Sequence, residues 1–198
     1  MPNDGHGISY RRHLIRSAKF GAVWQARAFR NRKVVGPTMS APTRDEAIVA
    51  VKAAIDTAAA EEQAARGDDG APTASAYTAA FEALWPLPKH QLLMLSAHAN
   101  AAHHIVSATQ LANAAGWDDF SAANLHYGKL GYDVALELEW TPAETSNGQP
   151  VWTFTLATEA PSQEVQATDP TLNPAHFQWK LRPQVAEALG KLLAQDKP

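Results

Sequence analysis

The chain has 198 residues, enough for one large domain or two small ones, and we expect two. It contains no cysteine, which excludes disulfides, thiolate metal ligands and a cysteine nucleophile, and a reducing cytosol is the expected compartment. The sequence shows neither a signal-peptide h-region nor a run of about 18 apolar residues, so it predicts a soluble cytoplasmic protein with no membrane contact.

The net charge of −3 hides a strong asymmetry along the chain. Residues 1–52 carry ten Lys or Arg and three acids, a net charge of +7, and the remainder therefore carries −10. Clustered basic side chains most often neutralise phosphates, so this asymmetry favours a polyanion as the partner of the N-terminal segment. A solvated basic face without a partner is the alternative.

The N-terminal segment predicts a small antiparallel sheet. Strand-like alternation is found at residues 10–16, 22–29 and 33–39, and Asn31-Arg32 would be the turn between the last two strands. In the second strand, Trp24, Ala26 and Ala28 share one face and Val23, Gln25, Arg27 and Phe29 the other. Trp24 is then expected to pack in the core rather than to contact a base.

A helix is predicted after the strands. Thr43 and Glu46 have the spacing of a capping box, and the helix is expected to run to about residue 66, where Gly67 would end it. Its buried stripe would be formed by apolar residues at helical spacing: Ala47, Ile48, Val51, Ala54 and Ile55. Residues 1–66 are therefore expected to form a basic strand-strand-strand-helix module.

The N-terminal module resembles two known families. The resemblance is carried by Gly21, Trp24, Ala26, Arg27, Val35, Gly36 and the T-R-D-E-A run at residues 43–47. These residues are similar to the AP2 and integrase arm-binding domains, which implies DNA binding with the sheet in the major groove. The same run, with A-I-V-A-V-K-A-A-I-D after it, is also similar to the HicB antitoxin fold, which implies a protein toxin as partner.

DNA binding through the sheet leads to a defined set of candidate contacts. We expect the DNA-facing side chains to be Arg27, Arg30, Arg32 and Lys33, with Arg11, Arg12 and Arg16 as phosphate contacts.

Residues 67–76 are small, polar and turn-rich, and they are interpreted as a linker to a second domain at residues 77–198. Helices are expected near residues 77–84 and 89–100. Residues 161–174 are expected to be a loop. A short strand and a last helix would follow, with Pro183 in the first turn of that helix.

Residues 105–138 predict two helices joined by a tight turn. Ser107 and Gln110 form a capping-box pattern, the first helix would cover residues 108–115, and Gly116 would end it in the left-handed conformation. The second helix would begin after Asp118 or Asp119, with an apolar stripe at Phe120, Ala123, Tyr127, Leu130, Val134 and Leu138.

Two strand-like runs, residues 134–140 and 151–157, flank an Asn147-Gly148 turn and form a candidate wing. The expected fold class is therefore α+β, a small antiparallel-sheet-plus-helix module followed by a winged helix-turn-helix-like domain.

The second half also resembles a known segment. The run T-Q-L-A-N-A-A-G-W-D-D-F-S-A-A-N-L-H-Y-G-K-L-G, followed later by W-K-L-R-P-Q-V-A-E-A-L, is similar to a helical segment found beside HNH nuclease domains in bacterial restriction-type proteins. The resemblance implies a bacterial or phage origin and a DNA-related setting, without the nuclease triad itself.

The sequence gives no support for an enzyme. Histidines are the one tempting catalytic signal, at His90, His98, His103, His104 and His126, but they match neither H-E-x-x-H nor H-x-x-E-H. P-loop, G-x-G-x-x-G and G-x-S-x-G patterns are also missing from the sequence. We therefore expect no catalytic residues, no metal and no cofactor.

Charge argues against DNA contact by the winged domain. Residues 85–160 carry two basic residues and seven acids, a net charge of −5. On the second helix, Asn124 and Lys129 are the candidate DNA contacts, although Asn124 could instead brace the helix turn.

Two hypotheses follow. In the first, the protein is a non-enzymatic bacterial or phage DNA-binding protein, a regulator or defence-system accessory, whose basic N-terminal module contacts double-stranded DNA while the acidic domain dimerises or recruits. In the second, it is an antitoxin-like or phage-encoded inhibitor whose acidic domain binds a nucleic-acid enzyme through Asp118, Asp119 and Glu137.

Overall fold

A computed structural model describes residues 7–145, 147–161 and 177–195, with side chains as far as residue 192. The chain divides into two compact units, Met1–Gly70 and Ala71–Pro198, here called the first and second units. The α+β class is confirmed, because a four-stranded antiparallel sheet precedes helices and a small second sheet. Within the described ranges, no helix combines the length and apolar character that crossing a bilayer requires.

The first unit begins with a four-stranded meander. Its strands are β1 (Ile8–Tyr10), β2 (His13–Phe20), β3 (Val23–Arg30) and β4 (Lys33–Ala41), paired in chain order. The single strand predicted at residues 10–16 is wrong, because Arg11 has a φ of +49° and lies in a turn between β1 and β2. Alternation could not reveal this turn, because the Arg11-Arg12 pair contains none of the usual turn residues.

The turn between β3 and β4 is confirmed at Asn31-Arg32. Both residues have positive φ values, +49° and +67°, the pattern of a two-residue hairpin turn that follows the right-handed twist of the strands. The register across this hairpin brings Arg30 opposite Lys33.

Helix α1 (Arg44–Ala64) packs on one face of the sheet. The predicted capping box is present, because Thr43 Oγ1 accepts from the Glu46 amide at 3.3 Å and the Thr43 amide donates to Glu46 Oε2 at 3.1 Å. The core between the layers contains Ile15, Ala26 and Ala28 from the sheet and Ala47, Ile48, Val51 and Ile55 from the helix. Gly67 does not cap the helix, since Ala65 is already its C-cap residue.

The second unit starts earlier than its composition suggested. Ala71 and Pro72 are already buried, and Thr73 caps helix α2 inside the segment interpreted as a linker. The elements are α2 (Ala74–Leu84), α3 (Lys89–Asn100), β5 (Ile105–Ser107), α4 (Ala108–Ala115), α5 (Phe120–Leu138), a 3-10 turn (Trp152–Thr155), β6 (Ala157–Glu159), β7 (Gln178–Leu181) and α6 (Pro183–Gln195). Strand β7 lies between β5 and β6, antiparallel to both.

The predicted pair of helices is confirmed. The Gln110 amide donates to Ser107 Oγ at 3.2 Å, and the Ser107 amide donates to Gln110 Oε1 at 2.8 Å. Gly116 ends α4 with a φ of +80°, and Asp119 caps α5 by accepting from the Ser121 amide at 2.8 Å. Sequence patterns predicted this turn because the residues that cap its helices find their partners within a few residues.

The predicted wing hairpin is wrong. Residues 134–138 continue α5, because Val134 and Ala135 are buried in the core and the helix ends only at Glu139, whose φ is +47°. Most of the second run forms the 3-10 turn before β6, and among the described residues the Asn147-Gly148 turn is flanked by a single antiparallel bridge, Glu144 with Pro150, instead of two strands. Helix packing overrode the strand propensity of these residues.

Close packing between α5 and the 3-10 turn explains why the helix continues. A Cβ added at Gly131 would overlap the Trp152 carbonyl oxygen and lie 2.7 Å from its carbon. Tyr77 of α2 also reaches this turn, since its hydroxyl donates to the Thr155 carbonyl oxygen at 2.5 Å. The last strand and helix, with Pro183 at the first helical position, agree with the prediction.

Candidate nucleic-acid interface

The two layers of the first unit, the sheet and the helix, differ in charge. Residues 8–41, which form the sheet, contain eight Lys or Arg and no acid. The acids of the described part of this unit begin at Asp45, in α1 and after it. Within this unit α1 covers one face of the sheet, and the opposite face, which α1 does not cover, is called here the open face.

Two arginines face each other on the open face. Arg16 of β2 is the register partner of Arg27 of β3, and Leu14 is the partner of Phe29. The Arg16 guanidinium carbon lies 5.4 Å from the centroid of the Phe29 ring. Like charges directly opposite each other destabilise a sheet, and within the described ranges no carboxylate pairs with either arginine. The pair is therefore available to an external anion.

A basic groove continues from this arginine pair towards the strand ends. It has a volume of about 540 Å³ and lies between the β1–β2 turn and the β3–β4 turn. Its basic lining consists of Arg11, Arg12, His13, Arg16 and Arg32, beside the ring of Phe29. All four of these arginines were predicted from the sequence as DNA contacts. The closeness of the two turns was not predicted, because the sequence patterns indicated three strands and not four.

Arg11 has an internal partner. Its Nε lies 3.0 Å from Asp56 Oδ1 of α1, and the neighbouring Tyr10 hydroxyl donates to Asp56 Oδ2 at 2.7 Å. The hydrogen bond to Asp56 is the main cause that raises the pKa of Tyr10. Asp56 therefore offsets part of the charge that Arg11 brings to the groove.

The remaining predicted sheet contacts separate by face. Arg30 and Lys33 are a register pair beside the turn, and strand alternation places Arg30 on the same side as Ala28, under the helix. Trp24 is half-buried and packs against the core, as expected. Of the predicted contacts, Arg16 and Arg27 thus lie on the open face, and Arg32 lies in the turn between β3 and β4.

Asn124 and Lys129 are both exposed on α5, in the second unit. Lys129 Nζ lies 3.1 Å from Asp133 Oδ2, one turn further along the same helix. The acids proposed for a protein partner do not form one exposed patch: Asp118 is exposed and Asp119 caps α5, but Glu137 is buried with 6% of its surface exposed. In the folded second unit Glu137 therefore does not share a surface with Asp118 and Asp119, and its contact with a partner stays a prediction.

The buried histidine His98 is held by hydrogen bonds inside the second unit. His98 is buried, with Nδ1 2.7 Å from the Tyr127 hydroxyl and Nε2 3.1 Å from the carbonyl oxygens of His104 and Trp179. Carbonyls only accept, so Nε2 carries the proton and the Tyr127 hydroxyl donates to Nδ1. Burial lowers the pKa of His98 to about 4.

His90, Trp117 and His126 form a second group of rings, with centroids of the two histidines 4.6 Å apart. Burial is the main cause that lowers the pKa of His90. Among the residues with described side chains, no three His, Cys, Asp or Glu gather in a way that could hold a metal ion.

No protein-family model matches the chain, and no curated protein or solved structure is significantly similar to it. The resemblances to DNA-binding, antitoxin and nuclease-associated segments therefore stay predictions.

Proposed function

We propose that the protein binds double-stranded DNA through the open face of the first unit. The observation that carries this proposal is the opposed pair Arg16 and Arg27 in an acid-free sheet. The basic groove next to the pair extends the positive surface to the turn residues Arg12 and Arg32. A two-stranded ribbon fits the major groove of DNA, and its arginines can contact phosphates or guanine edges.

We interpret the second unit as a winged-helix-like domain that does not supply the main DNA contact. Its order of helix, strand, two helices and two strands, with β7 between β5 and β6, supports this interpretation. Residues 71–198 carry six basic and twelve acidic residues, a net charge of −6 that opposes approach to phosphates. Its role in this proposal is dimerisation or recruitment.

Fluorescence anisotropy of a labelled random duplex, measured across a salt series with the full chain, tests the proposal. Binding should weaken linearly in log salt, and the double variant Arg16→Glu, Arg27→Glu should reduce the magnitude of the slope by about two. The double variant Lys89→Glu, Lys191→Glu changes the net charge equally on exposed residues of the second unit and should retain the slope. Equal losses in both variants would contradict a sheet contact.

Protein binding by the second unit is a second candidate function, favoured by the apolar surface of α5 rather than by its acids. Leu125 is 70% exposed and Phe120 is 53% exposed on this helix, and contiguous exposed apolar surface marks interaction sites. A partner that co-purifies with the tagged full chain should be lost on Leu125→Asp. Its retention would argue against this candidate.

A further inference from the structure

A second cavity lies within the second unit, apart from the basic groove. It has a volume of about 560 Å³ and opens where the first residues of α4 and α5 meet β7 and the 3-10 turn. Its aromatic lining is formed by Phe120, Phe154, Phe177 and Trp179. Cavities that bind small organic molecules have volumes of about 300–1,000 Å³ and mainly apolar walls, and this cavity meets both conditions.

The aromatic rings surround open space instead of filling it. The Phe154 and Phe177 centroids are 6.3 Å apart at an interplanar angle of 34°, and Trp179 lies edge-on to Phe177 at 6.2 Å. Phe177 is nevertheless 48% exposed and Phe120 is 53% exposed. Two half-exposed phenyl rings beside such a cavity offer stacking surfaces to a planar molecule.

Polar and charged groups lie at the rim of the cavity, and they indicate which charge a ligand should carry. Glu144 is the charged side chain among the described residues that line it, and Asn124 and Thr109 add hydrogen-bonding groups. The N-terminus of a helix contributes about half a positive charge, and at α5 the Asp119 carboxylate offsets it by accepting from the Ser121 amide. The Glu144 carboxylate adds a negative charge at the rim, and aromatic faces also attract cations.

We propose that this cavity binds a protonated aromatic amine of one or two fused rings. The ring of the ligand lies against Phe154 and Phe177, and its ammonium group donates to the Glu144 carboxylate. Asn124 then connects the cavity with the exposed face of α5.

Three probes with the same ring and different charges test the proposal by titration calorimetry of the full chain: tryptamine, indole and indole-3-acetate. Tryptamine should bind about tenfold more tightly than indole, and indole-3-acetate should bind most weakly, because one charge-assisted hydrogen bond contributes about 1.4 kcal/mol. Glu144→Gln should remove most of this preference. Glu187→Gln, an exposed acid on α6, is the matched control and should keep it.

Two further variants locate the binding. Phe177→Ala removes a stacking ring, and Thr109→Trp fills the cavity from an exposed position, so each should weaken tryptamine binding about tenfold or more. Circular dichroism confirms that the variants are folded. Absence of tryptamine binding, equal binding of all three probes, or unchanged binding in both variants would overturn the proposal, whatever the outcome for DNA.

Discussion

Arg27 shows how a single residue of the open face can favour binding at a cost in stability. It lies opposite Arg16 in the sheet, and directly opposed like charges destabilise strand pairing by a few tenths of a kcal/mol or more. A DNA phosphate that accepts from both guanidinium groups would remove this repulsion. The pair thus supports the proposed DNA contact at the open face.

Arg27→Thr should stabilise the first unit by about 0.5 kcal/mol while weakening duplex binding, because it removes the repulsion together with a phosphate contact. Urea denaturation and the anisotropy titration measure the two effects. Lys19→Thr makes a similar change on the other face of β2, opposite Trp24, and should affect DNA binding less. A loss of stability in Arg27→Thr would show that its side chain has a structural role.

His98 predicts how the stability of the second unit depends on pH. Burial lowers its pKa from 6.5 to about 4 in the folded chain, so between these values the unfolded chain binds more protons. The free energy of unfolding should therefore rise as the pH increases from about 4 to 6.5, by about 3 kcal/mol in total, and lose this contribution on acidification.

Urea denaturation at a series of pH values measures this slope. His98→Gln should flatten the slope between the two pKa values, because the variant has no group to titrate there. His103→Gln, at an exposed position before β5, is the control and should preserve the slope. The same slope in wild type and His98→Gln would assign the pH dependence to other groups.

At the scale of elements, the contact between α5 and the 3-10 turn decides the fold of the second unit. Gly128 and Gly131 lie on the side of α5 that meets this turn, and the Trp152 backbone occupies the space of a Gly131 side chain. A glycine usually weakens a helix interior, but here it allows two backbones to approach closely. This contact replaces the strand pairing that the local sequence favours.

Gly131→Ala should destabilise the second unit by about 1–3 kcal/mol, because the added methyl group overlaps a backbone carbonyl that belongs to packed structure. Gly190→Ala in α6 is the matched control, since nothing lies within 4 Å of its added methyl group. That control should gain about 0.5–1 kcal/mol from helix propensity. Denaturant midpoints compare the two, and similar gains would show that α5 can move away from the turn.

For the whole molecule, each unit has its own apolar core. The core of the first unit is formed by Ile15, Ala26, Val51 and their neighbours, and that of the second by a larger set around Phe81, Tyr127 and Leu130. The net charges have opposite signs, +3 for residues 1–70 and −6 for residues 71–198. We therefore expect the two units to bind different partners.

Fragments 1–70 and 71–198 should each unfold cooperatively in urea, because each contains a complete apolar core. Fragment 1–70 should bind the labelled duplex at least as tightly as the full chain, since the acidic unit has been removed. Fragment 71–198 should not bind it at low salt. Binding by the second fragment would transfer the DNA contact to α5, where Asn124 and Lys129 are exposed.

Features whose interactions are local could be predicted from the amino-acid sequence alone. Thr43 and Glu46, Ser107 and Gln110, Gly116, and the Asn31-Arg32 turn all set backbone geometry through partners within a few residues, so their patterns predicted the α+β class and most helix ends. The charge separation was also evident, because it depends on composition alone.

The remaining features depend on tertiary packing, because they join residues far apart in the chain. The pairing of β1 with β2 brings Arg12 beside Arg32, the 3-10 turn against Gly131 keeps residues 134–138 helical, and the core buries Glu137. The aromatic cavity likewise joins residue 109 to residue 179. Local periodicity carries no information on such distant contacts, and packing free energy outweighs the propensity that it reports.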